Sequence, residues 1–517
     1  MIKVQRALIS VSDKTGLIDF VKGLNELGIE IVSTGGTAAS IKGAGIPVRQ
    51  VSDYTGFPEI LDGRVKTLHP AIHGGLLALR DKPNHMEQLK NHKIETIDMV
   101  VVNLYPFEKV TQKNVSLFDA LENIDIGGPS MLRSAAKNFK NVAVICNPKK
   151  YKEILNELKN NSGLLSDSVL TNLAVEVFQH TAHYDSIIFN YLDNRTKGGD
   201  FSGLPREVIL RYKKIQDLRY GENPHQAASF YSSHEDVKGL AKIKQLHGKE
   251  LSFNNLLDLN AAVCVVRDFK DPAAVIIKHN NPTGGSEDKS LAFAYKQAWE
   301  CDSLSAFGGI IGLNRKVDLK TAQLIVKSGF MECIIAPEYA TGALKLLSRK
   351  KNLRIIVIDF RKCDKGRYDY KHIDGGLLMQ EKDRADIKKE DLQVVTKKKP
   401  NAAQIESLLF GWKVIKHIRS NAIILVKGKK TVGIGCGQTS RVESVKIAIS
   451  KAKSKAKNAC LISDAFIPKT DNIKIAAQAG IKAIIQTGGS IADKEVIRAC
   501  DKAGIAMVTT GIRHFKH

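Results

Sequence analysis

Short apolar runs alternate along the chain with longer segments whose apolar residues recur every three or four positions, a pattern that predicts strands and helices in turn. From Arg6 to about Val48 the order is strand (ALISVS), helix (TGLIDFVKGLNELG), strand (IEIVSTGG), helix (TAASIKGAG) and then IPV. Parallel strands need a crossover between them, so helices of this length between strands imply a helix-flanked parallel sheet. The alternation resumes with IDMVVVNLYPF at 97–107 and NVAVICNP at 141–148, which makes the first region an open α/β domain. A long helical stretch then ends in RTKGGDFSGLP, Arg195 to Pro205, the best linker in the chain. Domains are expected at 1–198 and 199–517. The second is too long for one ordinary domain and reads as several α/β subdomains, with strands at DPAAVIIKHN, GGIIGL, MECIIAP, TVGIGCG, ACLISDAF, KAIIQTGG and IAMVTTG. SVSDKTG with STGGT near the start is echoed by LISDAF with QTGGS near the end, but no fixed period is sustained, so no repeat is drawn.

Composition narrows the class. Hydrophobic residues at 43% and charged residues at 26% suit a globular protein, and no apolar run is long enough for a bilayer. The start, MIKVQRALISVSDKTG, lacks the apolar core of a signal peptide, so a soluble cytoplasmic protein is expected. Eight cysteines are scattered singly without a CxxC pair, and the histidines show no HExxH, so neither disulfides nor a metal is expected. The net charge of +24 raises nucleic-acid binding as a rival class. Its lysines are dispersed, however, and the densest runs, Lys397–Lys399 and KAKSKAKNA from Lys451, lack interleaved aromatics and read as solvated faces. Small anionic substrates account for part of the excess; no nucleic acid and no membrane are expected as partners.

Candidate chemistry sits at strand ends. Ser10, Ser12, Lys14 and Thr15 follow the first strand; Ser33, Thr34, Gly35, Gly36 and Thr37 follow the second. Hydroxyls, glycines and a lysine at adjacent strand ends make a phosphate cradle in a parallel sheet. GRVKTLHPAIHGG adds Arg64, Lys66, Thr67, His69 and His73 in a loop-like segment, which is otherwise a surface loop with stray histidines. NLYPF brings Tyr105, and NIDIGGPSMLRSAAKN brings Asp125 before a helix with Arg133 and Lys137. A lysine, a tyrosine and an aspartate around one ligand provide proton transfer and charge stabilisation.

In order and spacing, SVSDKTGL, STGGTA, TGFPEILDGRVKTLHPAIHGGLLA, NLYPF, IDIGG and AAKN resemble the inosine monophosphate (IMP) cyclohydrolase domain of the bifunctional purine biosynthesis enzymes. The resemblance covers nearly all of the first 200 residues. It implies a methylglyoxal-synthase-like open parallel sheet and dehydrative ring closure of formyl-AICAR, in which holding the two reacting groups together is the main task. By that resemblance Ser12, Lys14, Ser33, Gly35, Gly36, Thr37, Arg64, Thr67, Asn103, Gly127 and Gly128 bind the nucleotide. Lys66, Tyr105, Asp125 and Lys137 line the reacting end, with Asp125 on the carboxamide, Tyr105 and Lys137 on the formyl oxygen, and Lys66 assisting.

In the second region the run Ala273 to Ile277 delivers Lys278 and His279 back to back into NNPTGG. Neighbours in a strand face opposite ways, so such a pair is commonly one solvated lysine and one hydrogen-bonded histidine. Asn281 before Pro282 is expected to end the strand, and Gly284 and Gly285 to let a ligand approach the backbone. LRYGENPHQAASFY reads alone as a turn before an amphipathic strand. Together with KELSFNNLLDLNAA, VIIKHNNPTGG, DSLSAFGGIIGLN, IRSNAIILVK, GIGCGQTSRV, SDAFIPKTDN and TGIRHFKH, these segments resemble the AICAR transformylase domain of the same enzymes in their bacterial form. The match then covers essentially the whole chain and implies a larger, cytidine-deaminase-like transformylase region.

The resemblance implies two activities, phosphoribosylaminoimidazolecarboxamide (AICAR) formyltransferase and IMP cyclohydrolase, with 10-formyltetrahydrofolate as co-substrate and no metal. His279 takes the role of general base for the weak 5-amino nucleophile of AICAR, and Lys278 either stabilises the oxyanion or protonates the departing folate nitrogen. Arg219, Tyr220 and His225 bind AICAR, Asn421 engages the formyl-transfer region, and Phe466, Arg513 and His517 line the pocket. Since the family's transformylase site lies between subunits, a homodimer is expected. The rival enzyme reading is a chain with only one of the activities, which the presence of both motif sets opposes.

Overall fold

The computed structural model describes residues 1–113, 115–196, 203–233, 238–363 and 366–517. They form two units, Met1–Ile209 and Leu210–His517. The boundary expected at 198/199 and the middle of the linker, residues 197–202, lie outside the described residues.

In the first unit five strands, β1 (Arg6–Val11), β2 (Glu30–Ser33), β3 (Arg49–Gln50), β4 (Met99–Asn103) and β5 (Ala143–Ile145), make one sheet in the order β3-β2-β1-β4-β5. Every pairing is parallel, so all strand C-termini meet at one edge, where α/β proteins bind ligands. Helix α1 (Leu17–Glu26) buries Leu17, Phe20, Val21 and Leu24, the spacing of a single helical face. α2 (Gly35–Gly43) begins directly at the end of β2. The segment read as a loop around His69 and His73 is largely helix: Pro70 opens α3 (Pro70–Leu77), and His69 caps it by accepting from the Ala71 N–H at 3.2 Å. Proline is suited to that first position because its missing N–H would be unpaired there anyway. α4 (Gly127–Lys137) and the 30-residue α5 (Asp167–Thr196) pack on each other and close the core over β4 and β5.

The second unit opens with a hairpin, β6 (Lys213–Leu218) and β7 (Ala228–Ser232), and continues into a twelve-stranded sheet. Its first half runs β8 (Lys244–His247), α6 (Phe253–Val266), β9 (Ala273–Lys278), β10 (Asn281–Glu287), α7 (Leu291–Trp299), β11 (Ile310–Leu313), α8 (Leu319–Lys327), β12 (Cys333–Ala336), α9 (Thr341–Leu347) and β13 (Arg354–Val357). A separate hairpin, β14 (Tyr368–Ile373) and β15 (Gly376–Glu381), intervenes. The second half runs β16 (Gln393–Val394), α10 (Ala402–Ile415), β17 (Ile423–Lys427), β18 (Lys430–Gly435), α11 (Arg441–Ala452), β19 (Cys460–Ser463), α12 (Thr470–Gln478), β20 (Ala483–Gln486), α13 (Asp493–Ala503) and β21 (Ala506–Thr509).

The strand order is β8-β13-β12-β11-β9-β10-β18-β17-β19-β20-β21-β16, and it reads the same from either end towards the β10–β18 junction. Each half carries a helix opened by a capping box (Ser252 with Asn255; Asn401 with Gln404), a two-residue hairpin, and a run of parallel strands closed by an antiparallel edge. The halves meet through the antiparallel pair Ser286 and Lys430. α6 and α10 share the core on one face, where Val275 and Ile277 point; α7, α8 and α9 cover Ala274 and Ile276 on the other. This duplication is absent from the sequence-based picture, in which the only echo noticed paired the first unit with the last strands.

The echo extends only to a strand followed by a left-handed glycine. Thr34 is the N-cap residue of α2, without a side-chain capping bond, and the helix starts at once with left-handed Gly35; after β20 both Gly488 and Gly489 are left-handed, and the Gly489 and Ser490 N–H groups donate to Asp493 Oδ2 before α13 begins. The four lysines of the run from Lys451 are exposed, as expected of a solvated face, and two of them also reach the first half of the unit. α11 ends at Ala452, Lys451 pairs with Asp302 at 2.9 Å, and Lys455 donates to the Glu300 carbonyl, so the run ties the second half to the first.

Asn281 and Pro282, expected to end the strand, instead open a second one. β9 and β10 close at Lys278 opposite Asn281, which leaves only His279 and Asn280 in the turn. Pro282 lies inside β10 beside a bulge, where its missing N–H costs no ladder bond. Gly284 faces a helix and not a ligand: a Cβ there would lie 2.0 Å from the Ala298 carbonyl oxygen. No helix among the described residues is long and apolar enough to cross a membrane. None of the eight cysteines forms a disulfide.

Candidate active sites

In the first unit the cradle is built by Asn103 at the end of β4. Its Oδ1 accepts the Ser12 and Asp13 N–H groups at 2.6 and 2.8 Å, and its Nδ2 donates to the Asp13 carbonyl at 2.8 Å. One amide side chain thus fixes the loop after β1 from the neighbouring strand. Ser33 and Thr37, expected to contact the nucleotide, are buried and spend their hydroxyls on the backbone. Ser33 Oγ donates to Ile9 O at 2.6 Å, and Thr37 Oγ1 both donates to and accepts from Val11 at 3.1 Å. What faces outward is the start of α2 at Gly35 and Gly36. Gly35 has φ +51°, a left-handed conformation that favours glycine. The Lys14 and Lys66 ammonium groups flank it, 3.6 Å from a Cβ placed on Gly36 and 3.8 Å from one placed on Gly35. A helix N-terminus with two lysines beside it attracts an anion.

The residues expected at the reacting end lie next to that cradle. Asp125 accepts the Gly128 N–H at 2.8 Å and the Tyr105 N–H, and it feels the charge of Lys66. Burial is the strongest influence on its carboxyl and pushes its pKa above the ordinary value, against those bonds and that charge. Gly127 packs so close to Thr67 that a Cβ would lie 2.6 Å from the Thr67 hydroxyl. Lys66, Thr67, Tyr105, Asp125, Gly127 and Gly128 are therefore brought together. Two expected residues stand differently. The Arg64 guanidinium is held by Glu122. Lys137 sits in the last turn of α4, whose first turn holds Gly127, about 15 Å away along the axis at 1.5 Å per residue. Sequence reading missed Glu59, whose carboxylate lies 3.7 Å from Lys66 Nζ.

In the second unit the hairpin tip is the centre. Both of its residues have left-handed backbones, His279 at φ +51° and Asn280 at +60°, the geometry of a type I′ turn. This removes the difficulty of adjacent residues facing apart, because His279 is no longer in the strand. Lys278, the last residue of β9, donates to the Phe307 carbonyl at 2.8 Å and so reaches the SAFGG segment. Asn280 N–H donates to Asp258 Oδ1 at 2.6 Å from α6. One turn earlier on α6, Asn254 donates to the Glu222 carbonyl at 3.2 Å, which ties in the GENPHQ turn carrying exposed His225. Arg219, just before it, lies over the Tyr220 ring at 4.8 Å and donates to its hydroxyl at 3.1 Å.

On the other side of the tip, Asn281 joins two segments: its Nδ2 donates to the His279 carbonyl and its Oδ1 accepts the Arg419 N–H, both at 3.1 Å. The chain end docks against the same stretch. Ser420 N–H donates to Lys516 O at 2.9 Å and Lys516 Nζ to His417 O at 3.2 Å, while Arg513 lies over Phe515 and His517 meets the Phe515 edge. Asn421 has both side-chain ends engaged, donating to Gln438 O at 2.9 Å and accepting from Arg441 at 2.7 Å, so it braces the site. Arg441 also pairs with the fully buried Asp464, which accepts from Ser420 and Ala422; Phe466 follows two residues later and is part-exposed.

Two shifted groups lie behind this region. Burial opposes the Asp268 carboxylate, but the bond from His417 at 2.7 Å and the bond and charge of Lys416 at 2.8 Å outweigh it and bring its pKa down to about 2. Burial lowers Lys516, with the charge of Arg419 adding to the effect. The cavity of about 310 Å³ under β6–β7 takes in Arg219 but none of the other expected residues, and its lining mixes apolar side chains such as Phe230 and Leu256 with Asp217, Gln245 and Glu250. Asp258, Asn281 and the Arg441–Asp464 pair were missed from sequence. The only available signal was the position of Asp258 on the polar face of KELSFNNLLDLNAA.

The AICARFT/IMPCHase bienzyme family matches residues 135–451, and the MGS-like domain family matches residues 16–130. The bifunctional purine biosynthesis protein PurH of Thermoanaerobacter sp. is 51% identical over 514 residues, covering 99% of this chain and 100% of that protein. PurH of Acetivibrio thermocellus is 50% identical over 518 residues, and PurH of Bacillus subtilis 50% identical over 516, with the same shares covered.

Proposed function

The chain belongs to the AICARFT/IMPCHase bienzyme family, and from that premise we propose how its two units divide the work. The protein is a bifunctional enzyme of purine biosynthesis that formylates AICAR from a folate co-substrate and closes the product to IMP. The co-substrate is 10-formyltetrahydrofolate. The observation that carries the transferase assignment is the Lys278–His279 hairpin tip, to which α6, the SAFGG segment and the 417–421 stretch all converge.

In formyl transfer the 5-amino nitrogen of AICAR attacks the formyl carbon, the bond to the folate nitrogen breaks, and the amine loses one proton while the departing folate nitrogen gains one. That amine is a weak nucleophile because its lone pair is delocalised. His279 takes the proton, and Lys278, oriented by the Phe307 carbonyl, stabilises the oxygen that becomes negative. Arg219, Tyr220 and His225 hold the nucleotide, Asn421 braces the transfer region, and Phe466, Arg513 and His517 complete the pocket.

Ring closure needs the carboxamide nitrogen of formyl-AICAR to meet its own formyl carbon, with loss of water. The α2 N-terminus, Ser12, Lys14, Arg64 and Thr67 hold the phosphate and ribose; Ser33, Thr37, Asn103, Gly127 and Gly128 shape the cradle. Asp125 contacts the carboxamide, Tyr105 polarises the formyl oxygen and Lys66 assists. Lys137 joins them by family resemblance, from the far end of α4.

The working form is a cytoplasmic homodimer. Its support is the pair of hairpins β6–β7 and β14–β15, which expose Ile215, Tyr231, Ile373 and Leu378; two-stranded ribbons are marginal in water unless something packs on them. Incubation with AICAR and 10-formyltetrahydrofolate, followed by chromatography of tetrahydrofolate, formyl-AICAR and IMP, tests the reading. IMP with stoichiometric tetrahydrofolate supports both activities, and formyl-AICAR alone removes the cyclohydrolase assignment.

A further inference from the structure

The two halves of the second unit allow each part of the catalytic hairpin to be compared with its non-catalytic copy. Both hairpins have two-residue turns, His279–Asn280 between Lys278 and Asn281, and Gly428–Lys429 between Lys427 and Lys430. In the second copy the left-handed position is taken by Gly428, at φ +57°, where an L side chain is absent and the conformation is easy. In the first copy the corresponding positions are His279 and Asn280, both left-handed and both with side chains. Such backbones persist only where the surroundings over-determine them, and they cluster at functional sites.

The surroundings differ in one respect that matches this. The capping residues Ser252 and Asn401 align the two helices, which places Asp258 of α6 opposite Ser407 of α10. Ser407 turns its hydroxyl back to its own helix, donating to Ala403 O at 3.0 Å. Asp258 reaches out to the turn, accepting the Asn280 N–H at 2.6 Å and the His279 N–H beside it. We propose that Asp258 is a positioning residue for formyl transfer, a carboxylate under the hairpin tip that holds the turn in the left-handed form and so aims the His279 imidazole at the amine of AICAR. Asn281 gives lateral support by binding the His279 carbonyl. Burial is the main influence on the Asp258 carboxyl and pushes its pKa up, against the turn N–H groups and the charge of His279, as suits a carboxylate enclosed beneath the tip.

This inference rests on His279 being the base, and the test separates the two ideas. Formyl-transfer kcat and the KM for AICAR are measured for Asp258→Ala, Asp258→Asn, His279→Ala and His279→Ala/Asp258→Ala. Misplacing a reacting group by about 1 Å costs on the order of 100-fold. Asp258→Ala is accordingly expected to lower kcat about 10- to 100-fold with KM within about twofold, and Asp258→Asn, which keeps an acceptor oxygen, to recover most of it. In the His279→Ala background the second change is expected to alter the residual rate less than about twofold, because Asp258 acts through His279. Should Asp258→Ala not fold, Asp258→Ser, the residue present in the copy, takes its place. A kcat for Asp258→Ala or →Ser close to that of the unmutated protein overturns the inference, as does a full loss added on top of His279→Ala. Unchanged transfer by His279→Ala alone overturns the assignment of the base instead.

Discussion

Gly284 and Gly433 occupy matching places in the two hairpins of the second unit, and each presses its backbone against a helix carbonyl. A Cβ on Gly284 would lie 2.0 Å from Ala298 O, and one on Gly433 would lie 2.1 Å from Ala448 O. The glycines let α7 and α11 settle on the hairpins. Gly284→Ala is expected to destabilise the second unit by about 3 kcal/mol, the upper range for overpacking, and Gly433→Ala by a similar amount. Gly428→Ala, which has open space around it but a left-handed backbone, should cost about 1–2 kcal/mol. Denaturant unfolding followed by a probe in the second unit gives all three values, and equal costs for Gly284→Ala and Gly428→Ala would contradict the packing argument.

Lys278→Ala is expected to lower formyl transfer about 100- to 1,000-fold, the usual cost of removing a donor aimed at developing negative charge. Cyclisation of supplied formyl-AICAR should stay unchanged, because the residues proposed for it lie in the other unit. Separate assays of the two reactions check this; loss of both in a folded protein would sink the two-site assignment.

The Asp125 carboxyl is raised by burial, so cyclisation that depends on its carboxylate should fall on the acid side at a higher pH than an ordinary aspartate would set. Asp125→Asn should lower kcat about 100-fold and abolish that acid limb. A kcat–pH profile of the first reaction decides it: an acid limb that survives in Asp125→Asn belongs to another group.

Asp268 has a folded pKa of about 2 against an ordinary value of 3.8. A carboxylate lowered by folding contributes stability above its unfolded pKa and loses it as pH falls through the folded one. Asp268→Asn is therefore expected to be about 2 kcal/mol less stable at pH 7, a gap that closes between about pH 4 and pH 2. Urea unfolding across that range measures the gap; a constant difference down to pH 2 would mean that the cost is one of packing.

The open parallel sheet of the first unit was legible because its central strands carry apolar runs, Ala7–Ile9 in β1 and Met99–Val102 in β4, and α1 carries a single buried face at Leu17, Phe20, Val21 and Leu24; the two-residue β3, Arg49–Gln50, has no apolar residue to announce it. The hairpin at Lys278 was not. Asn281-Pro282 reads as a breaker, and only the bulge in the β9–β10 pairing, which no local residue pattern announces, makes room for a proline within a strand. The duplication was hidden for a related reason. Its halves agree in capping, turn length and helix-facing glycines, features that tolerate Ser for Asn at a cap and Gly for His at a turn. Within the sites, residue types that bind ligands also tie backbone to backbone, and sequence cannot tell the two uses apart. Ser33, Thr37 and Asn421 have the chemistry expected of contacts, yet the structure commits their side chains to the frame.

Both units are segments of a single polypeptide, so every act of synthesis yields one copy of each site. A cell cannot alter the ratio of the two activities by expressing one gene more than another; the ratio can change only through the turnover of each site. If the second step is to keep formyl-AICAR from accumulating, that surplus must be written into the first unit as speed, because it can never be supplied as numbers.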